Sequence, residues 1–541
     1  MKKTASFLLF LCLLFSSLSL GAQVAQEAVD EKIDSAAALA GTITPVELKA
    51  HLNYLASDKL EGRETGTPGN KKAAEYISSQ FQSFGLPRVG ENGKSYYQKV
   101  AFTWSSWKTA DLFVNGKKYR HLWDFISFPT ESNSLPILEA RKVIFLGYGI
   151  DDPAYSDYEG VKVEDQVILI YKGEPKNPDG TSYITGTKET SDWTDNWKRK
   201  LEVAREKGVR LVLFIEDQLQ EKLSENRRFL VGPTMTLGNG NPDAEKYANH
   251  CFLSTNIARD IMGKRLKKVV DAREKIQQTG TPARVKLKAK VNVLLEKDLQ
   301  TLLGENVLGY IEGSDPERKD ELVVITAHYD HLGRRGDAIY NGADDNASGT
   351  STVIEVAEAF AVARKKGLGP RRSVLVMLVT GEEKGLLGSQ FYVNHPVFPL
   401  ENTIANVNVD MVGRVDDKHK AQNNPYYTYV IGADRLSTEL HEINESVNKQ
   451  YTQLTLDYTY NDEDDPNRYY YRSDHYNFAE RGIPAVFFFS GTHADYHRTS
   501  DTAEKINYEK MARIGQLVFH TAWELANREK RIEVDVLPKE R

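Results

Sequence analysis

Cysteine is almost absent: the 541-residue chain holds two, Cys12 and Cys251. Cys12 lies in an apolar amino-terminal run with no small-residue lipobox before it, so lipidation is not expected and Cys251 is left as the single thiol of the remaining chain. One thiol makes no internal disulfide, and without a second cysteine a structural zinc site of the thiolate type is excluded. Cys251 is therefore expected to be a small buried hydrophobe. A basic excess is missing too. The formal net charge is -6 with both signs mixed along the chain, which excludes the footprint of a nucleic-acid or anionic-membrane binder. Neither tail has a long stretch of disordered composition. With 40% apolar and 10% aromatic residues, the chain can bury large cores, and its length implies two to three domains.

The amino terminus reads as a secretory signal. Lys2 and Lys3 form a positive start, Phe7 to Phe15 an apolar centre, and Ser19-Leu20-Gly21-Ala22 a small-residue end suited to cleavage near Ala22. Ser16, Ser17 and Ser19 interrupt a run barely long enough to span a bilayer, so no stable membrane anchor is expected. Export to the periplasm or the exterior follows.

Residues 44 to 86 read as a helical lead-in. Thr44, Pro45 and Glu47 make a capping box with proline at the first helical position, followed by Leu48, Leu52 and Leu55 at helical spacing. A second amphipathic stretch carries Ala73, Ala74, Ile77 and Phe81. Between them, Gly62-Arg63-Glu64-Thr65-Gly66 opens a glycine-rich loop that lacks the register of a phosphate-binding loop. From about 95 to 260 short β runs dominate, among them 143–146, 166–171 and 209–215, and no catalytic residue types cluster there. Lys264 to Lys288 reads as a charged connector, a solvated helix and turn with no special partner. The expected divisions are a signal over 1–22, the first part of the main domain over 23–130, an inserted β-rich domain over 131–265 and the main domain over 266–541.

After about 300, strands and helices alternate regularly. The runs 321–327, 372–379, 403–409 and 483–489 are nearly continuous in apolar residues, as expected of a sheet buried on both faces in an α/β domain. Five short segments place carboxylate or imidazole side chains at the ends of these runs or in the loops after them: His328, Asp345, Glu382-Glu383, Asp410 and His497. Open α/β sheets gather functional groups at the carboxyl ends of strands, and carboxylates with imidazoles are what a two-metal hydrolytic site needs. Asp345 sits among small residues in Gly342-Ala343-Asp344-Asp345-Asn346-Ala347-Ser348-Gly349, which leaves room for close backbone approach. Adjacent glutamates point in different directions, so one of the pair 382–383 can bind a metal while the other acts as a general base. His493 and His497 have the spacing of a helical zinc pair, but Ala494 occupies the place of its glutamate, so that reading fails. His331 is placed outside the ligand set because His328 lies nearer the strand end, with Asp330 orienting the His328 ring.

His328-Tyr329-Asp330, the Gly-Ala-Asp-Asp-Asn-Ala-Ser-Gly segment, Glu382-Glu383, Asp410-Met411-Val412-Gly413 and Tyr496-His497 follow the order and spacing of the M28 family of co-catalytic zinc peptidases, which the chain resembles. The resemblance extends to Gly62–Gly66, to Arg472-Ser473-Asp474-His475 and to the β-rich segment, which is similar to a protease-associated insertion. It implies a mixed, largely parallel sheet flanked by helices, of the zinc exopeptidase type, and two Zn²⁺ per chain. It also implies His328 and Asp410 on one ion, Glu383 and His497 on the other, Asp345 bridging, Glu382 as general base and Tyr496 as an oxyanion stabiliser. Asp474 is a candidate contributor to the substrate pocket. Peptides are the implied substrates, most often cut from the amino end. A carboxypeptidase of the same family, a one-zinc glutaminyl cyclase and a non-catalytic receptor-like ectodomain are the alternatives.

Overall fold

The computed structural model describes residues 35–536 except 228–229, 231 and 239–244. The expected signal, 1–22, lies outside the described residues. Two compact units form: the described residues up to Val100 join those from Leu303 onward, and Ala101–Leu302 make the second.

In the first unit, Thr44 accepts a hydrogen bond from the Glu47 amide and donates to its carboxylate, and so starts α1, Pro45–Leu55. Thr67 caps α2, Pro68–Ser83, by accepting a hydrogen bond from the Asn70 amide. Four strands follow: β1, Leu322–His328; β2, Ser373–Val379; β3, Thr403–Val409; and β4, Ala485–Phe489. All four are buried along their length, as their unbroken apolar runs require. They lie in the order β2-β1-β3-β4, and every pair among them is parallel. Residues 307–311 pair antiparallel to β2 at one side, and Tyr427–Ile431 pairs antiparallel to β4 at the other. The sheet is thus mixed and largely parallel.

Alternate strand residues point to opposite faces. Val323, Ile325, Val374 and Val376 join a core with α1, α2, α3 (Gly349–Lys365) and the long helix Tyr508–Asn527. Val324, Leu375 and Met377 pack on the opposite face against Tyr392 and Phe478, which lie in the short helices Leu387–Asn394 and His475–Ala479. Because all four strands run parallel, their carboxyl ends lie on one edge.

The second unit reaches beyond the expected insertion at 131–265, running from Ala101 to Leu302. Its sheet has a parallel centre, Val143–Leu146, Val167–Tyr171, Leu211–Glu216 and His250–Ser254, with antiparallel edges at Arg284–Leu287 and Phe125–Ile126. Helices cover it, so it is an α/β layer in its own right. The stretch 264–288 forms the expected helix, Leu266–Thr279, but not a solvated one: it buries Val269, Ala272 and Ile276, and an edge strand follows it. Six charged residues among its fourteen mask the narrow apolar stripe of that helix. Cys251 lies fully buried in this core, and burial pushes its thiol up to about 12.

Ile276 packs with Tyr148, Ile150, Tyr155 and Trp193. Ile276→Ala should destabilise the second unit by about 2–4 kcal/mol in thermal or denaturant unfolding. A change inside about 0.5 kcal/mol, the range of surface positions, would return this helix to the status of a solvated connector.

Candidate metal centre

β1 delivers His328 as its last residue. β2 runs into Thr380-Gly381, and the left-handed backbone of Gly381 (φ 79°) turns Glu382 and Glu383 over the strand ends. Asp410 follows β3 directly. Asp345 comes from the tight loop that opens α3, where Gly342 is obligatory: a Cβ there would stand 2.1 Å from the Asp345 carbonyl oxygen and 2.5 Å from the His331 ring. The loop after β4 brings back His497, in a left-handed conformation (φ 56°) uncommon for a residue with a Cβ.

These side chains converge. His328 Nε2 lies 3.3 Å from Asp410 Oδ1, 3.4 Å from Asp345 Oδ1 and 3.7 Å from Glu382 Oε2. His497 Nε2 lies 3.0 Å from Asp345 Oδ2 and 3.4 Å from Glu383 Oε2. Asp345 therefore presents one oxygen to each histidine, the arrangement a bridging carboxylate needs. Two sets of donor atoms within ion-binding reach stand out among the described residues: His328, Glu382 and Asp410, and His331, Asp345 and Glu383.

Several placements differ from the sequence-based expectations. His331, set aside from the ligands, has Nδ1 2.8 Å from Glu383 Oε1 and is fully buried behind it, whereas His497 is partly exposed and lines the adjoining cavity. Asp330 meets the His328 ring through its backbone carbonyl, 3.1 Å from Nδ1, with its carboxylate Oδ1 3.7 Å from the same nitrogen, and that carboxylate also accepts hydrogen bonds from Thr65 Oγ1 and the Glu382 amide. His493 stays outside, 3.2 Å from Asp344. Asp474 does not line the cavity: it is fully buried and accepts a hydrogen bond from Ser389, so the substrate-pocket expectation fails for this side chain. Tyr496 does line the cavity, its ring stacked on His497 at 3.8 Å between centroids.

Four carboxylates this close repel one another. Burial, reinforced by Glu383, raises Asp345 above the usual carboxylate range. Burial also raises Glu382 well above it, against the pull of His328 and with the help of Glu383 and Asp410. Burial would raise Glu383 likewise, but hydrogen bonds from His331 and His497 hold it well below. Burial depresses the His497 ring, and its bonds to Asp345 and Glu383 overcome that and carry it to about 10. Asp410 Oδ1 is buried and accepts no hydrogen bond. Oxygen and imidazole donors with a surplus of negative charge suit divalent zinc, and the residues present fit such ions.

The supports for this cluster come from far along the chain. Arg63, 1% exposed, donates to the carbonyls of Leu55, Tyr329, Asn341 and Gly342, and so ties the glycine-rich loop to the segments carrying His328 and Asp345. Asp501 accepts the amides of Asp344 and Asp345. Ser473 donates to Asp410. Sequence reasoning missed these roles, because a threonine, an arginine or a serine in a loop carries no signal of the distant group it will meet.

A model of peptidase family M28 matches residues 306–522, the stretch that holds every residue of this cluster. That stretch is similar to peptidase family M28. "Aminopeptidase YwaD" of Bacillus subtilis (strain 168) is 29% identical over 256 residues, covering 46% of this chain and 49% of the relative. A "Probable zinc metalloprotease" of Pyrenophora teres f. teres is 28% identical over 262 residues, covering 41% of this chain and 51% of the relative. The chain thus spans about half the length of these relatives. The solved aminopeptidase from Aneurinibacillus sp. strain AM-1 superposes with a TM-score of 0.52 at 18% identity, covering 93% of this chain and 99% of that one, which shows a shared fold.

Thr65 and Asp330 are both fully buried, so Thr65→Val would leave a carboxylate oxygen without its donor. Zinc affinity in a chelator competition should fall about tenfold, and Thr65→Ser should restore it. Unchanged affinity in the valine variant would show that Thr65 does not hold the site.

Proposed function

We propose that the protein is a zinc-dependent exopeptidase that removes amino-terminal residues from peptides. The observation that carries the reading is Asp345, whose two carboxylate oxygens face two separate histidine and carboxylate sets, with Glu382 beside them at a cavity open to solvent. His328 and Asp410 would hold one Zn²⁺, Glu383 and His497 the other, and Asp345 both. His331 would orient Glu383 from behind. When bound, such a pair of ions lowers the pKa of water and polarises a carbonyl.

The chain's own groups do the rest. Glu382 is 12% exposed at the side chain, lines the cavity and has a carboxyl that burial raises well above the usual carboxylate range, so it suits a proton acceptor that later returns the proton to the leaving amine. The Tyr496 hydroxyl is held protonated by burial and by Asp345, so it can donate a hydrogen bond to a developing oxyanion. Met411, Phe487 and Phe489 give the cavity apolar walls for a side chain. The names of the relatives favour the amino end over the carboxyl end. The apolar amino-terminal run with Lys2 and Lys3 supports export by signal cleavage near Ala22, and the second unit is read as a protease-associated type of insertion. No helix of the described residues is long and apolar enough to cross a membrane.

Digestion of a peptide library, read by mass spectrometry, should show stepwise loss from the amino end, abolished by chelator and restored by zinc. Loss from the carboxyl end would replace aminopeptidase by carboxypeptidase. Glu382→Gln should keep two zinc ions per chain by elemental analysis while turnover drops at least about 100-fold. Near-normal turnover would remove Glu382 as the base.

A further inference from the structure

The cavity beside the cluster has a second charged feature that the proposed reaction does not use. Its lining includes Asp345, Glu382 and Asp410 at the metal side, and Arg472 as the one lining residue with a permanent positive charge. Arg472 is exposed and forms no ion pair with a carboxylate among the described residues. That is unusual in a wall shared with three acids.

The guanidinium is nevertheless held in place. It lies over the Tyr469 ring, 4.8 Å from the centroid, and its NH2 nitrogen is 3.5 Å from the Tyr496 hydroxyl. Stacking a guanidinium on an aromatic face fixes its plane while leaving its in-plane N–H groups able to take a carboxylate in two parallel hydrogen bonds. Tyr496 in turn stacks on His497, which links Arg472 to the metal side of the cavity through one aromatic ring. The remaining walls, Met411, Phe487, Phe489 and Thr492, carry no charge and offer nothing to neutralise Arg472.

We infer that Arg472 recognises a substrate carboxylate close to the scissile bond, so that acid-bearing short peptides are the preferred class and peptides with a basic first residue are disfavoured. The inference rests on the peptidase reading of the same site. One chemistry has two sources here: the side-chain carboxylate of an acidic first residue, or the free α-carboxylate of a dipeptide.

Zinc-loaded Glu382→Gln protein, titrated calorimetrically, separates them. Glu-Ala-Ala-amide against Gln-Ala-Ala-amide tests the side chain, and Leu-Gly against Leu-Gly-amide tests the α-carboxylate. In at least one pair the acid should bind about five- to tenfold more tightly, with the preference growing as salt is lowered. Adding Arg472→Met should bring that ratio close to one, and Arg472→Lys should keep part of it. Because the readout is a ratio within one variant, a general disturbance through Tyr496 cancels. Equal binding in both pairs, a preference that survives Arg472→Met, or no binding of any of the four peptides would overturn the inference. The peptidase reading fails separately, if wild-type enzyme leaves the neutral peptides intact, and the dissociation constants would still decide the role of Arg472.

Discussion

Mutual repulsion among buried carboxylates is the constraint that organises this molecule. Asp345, Glu382, Glu383 and Asp410 stand around the ends of four parallel strands, where desolvation disfavours their charged forms and each raises the cost of its neighbours. Histidines answer part of this load: His331 and His497 hold Glu383 ionised, and His328 faces three acids with a single nitrogen. A site so poor in positive charge is built for cations, and the proposed zinc pair meets that need.

Rigid support matters because the acids would otherwise spread apart. Thr65 and Asp330 are 265 residues apart in sequence, and Arg63 reaches segments still further along, yet together they pin the loops that present His328, Glu382 and Asp345. The glycine-rich loop is therefore a structural part of the metal centre. Its close packing explains the glycine at 62, where a Cβ would stand 2.4 Å from the Tyr340 carbonyl oxygen. A buried guanidinium spent wholly on carbonyls also brings a fixed positive charge near the acids without competing for their metal-facing oxygens.

Much of the main sheet is legible in the sequence because unbroken apolar runs leave a strand nowhere to lie except inside a parallel sheet. The acids and histidines are legible for the same reason: each stands at the carboxyl end of such a run or in the loop that follows one. The second unit is harder to read. Its helix at 266–279 hides three buried residues among lysines, arginines and glutamates, so composition suggests solvent where packing places a core. Asp474 and His331 mislead in opposite ways. Both lie beside strong motif residues, and only the direction of the backbone decides that one turns into the interior and the other toward Glu383.

By itself the sequence determines the layered α/β class, the strands that converge and the chemical types they bring, since periodicity and residue chemistry are local properties. The tertiary structure decides which of those groups touch. Whether Asp330 meets His328 by its carboxylate or its carbonyl depends on angles of a few tens of degrees and on partners hundreds of residues away. So do the spread of Asp345 over two histidine sets and the setting of Arg472 against a tyrosine face, and such directions exist only once the chain has packed.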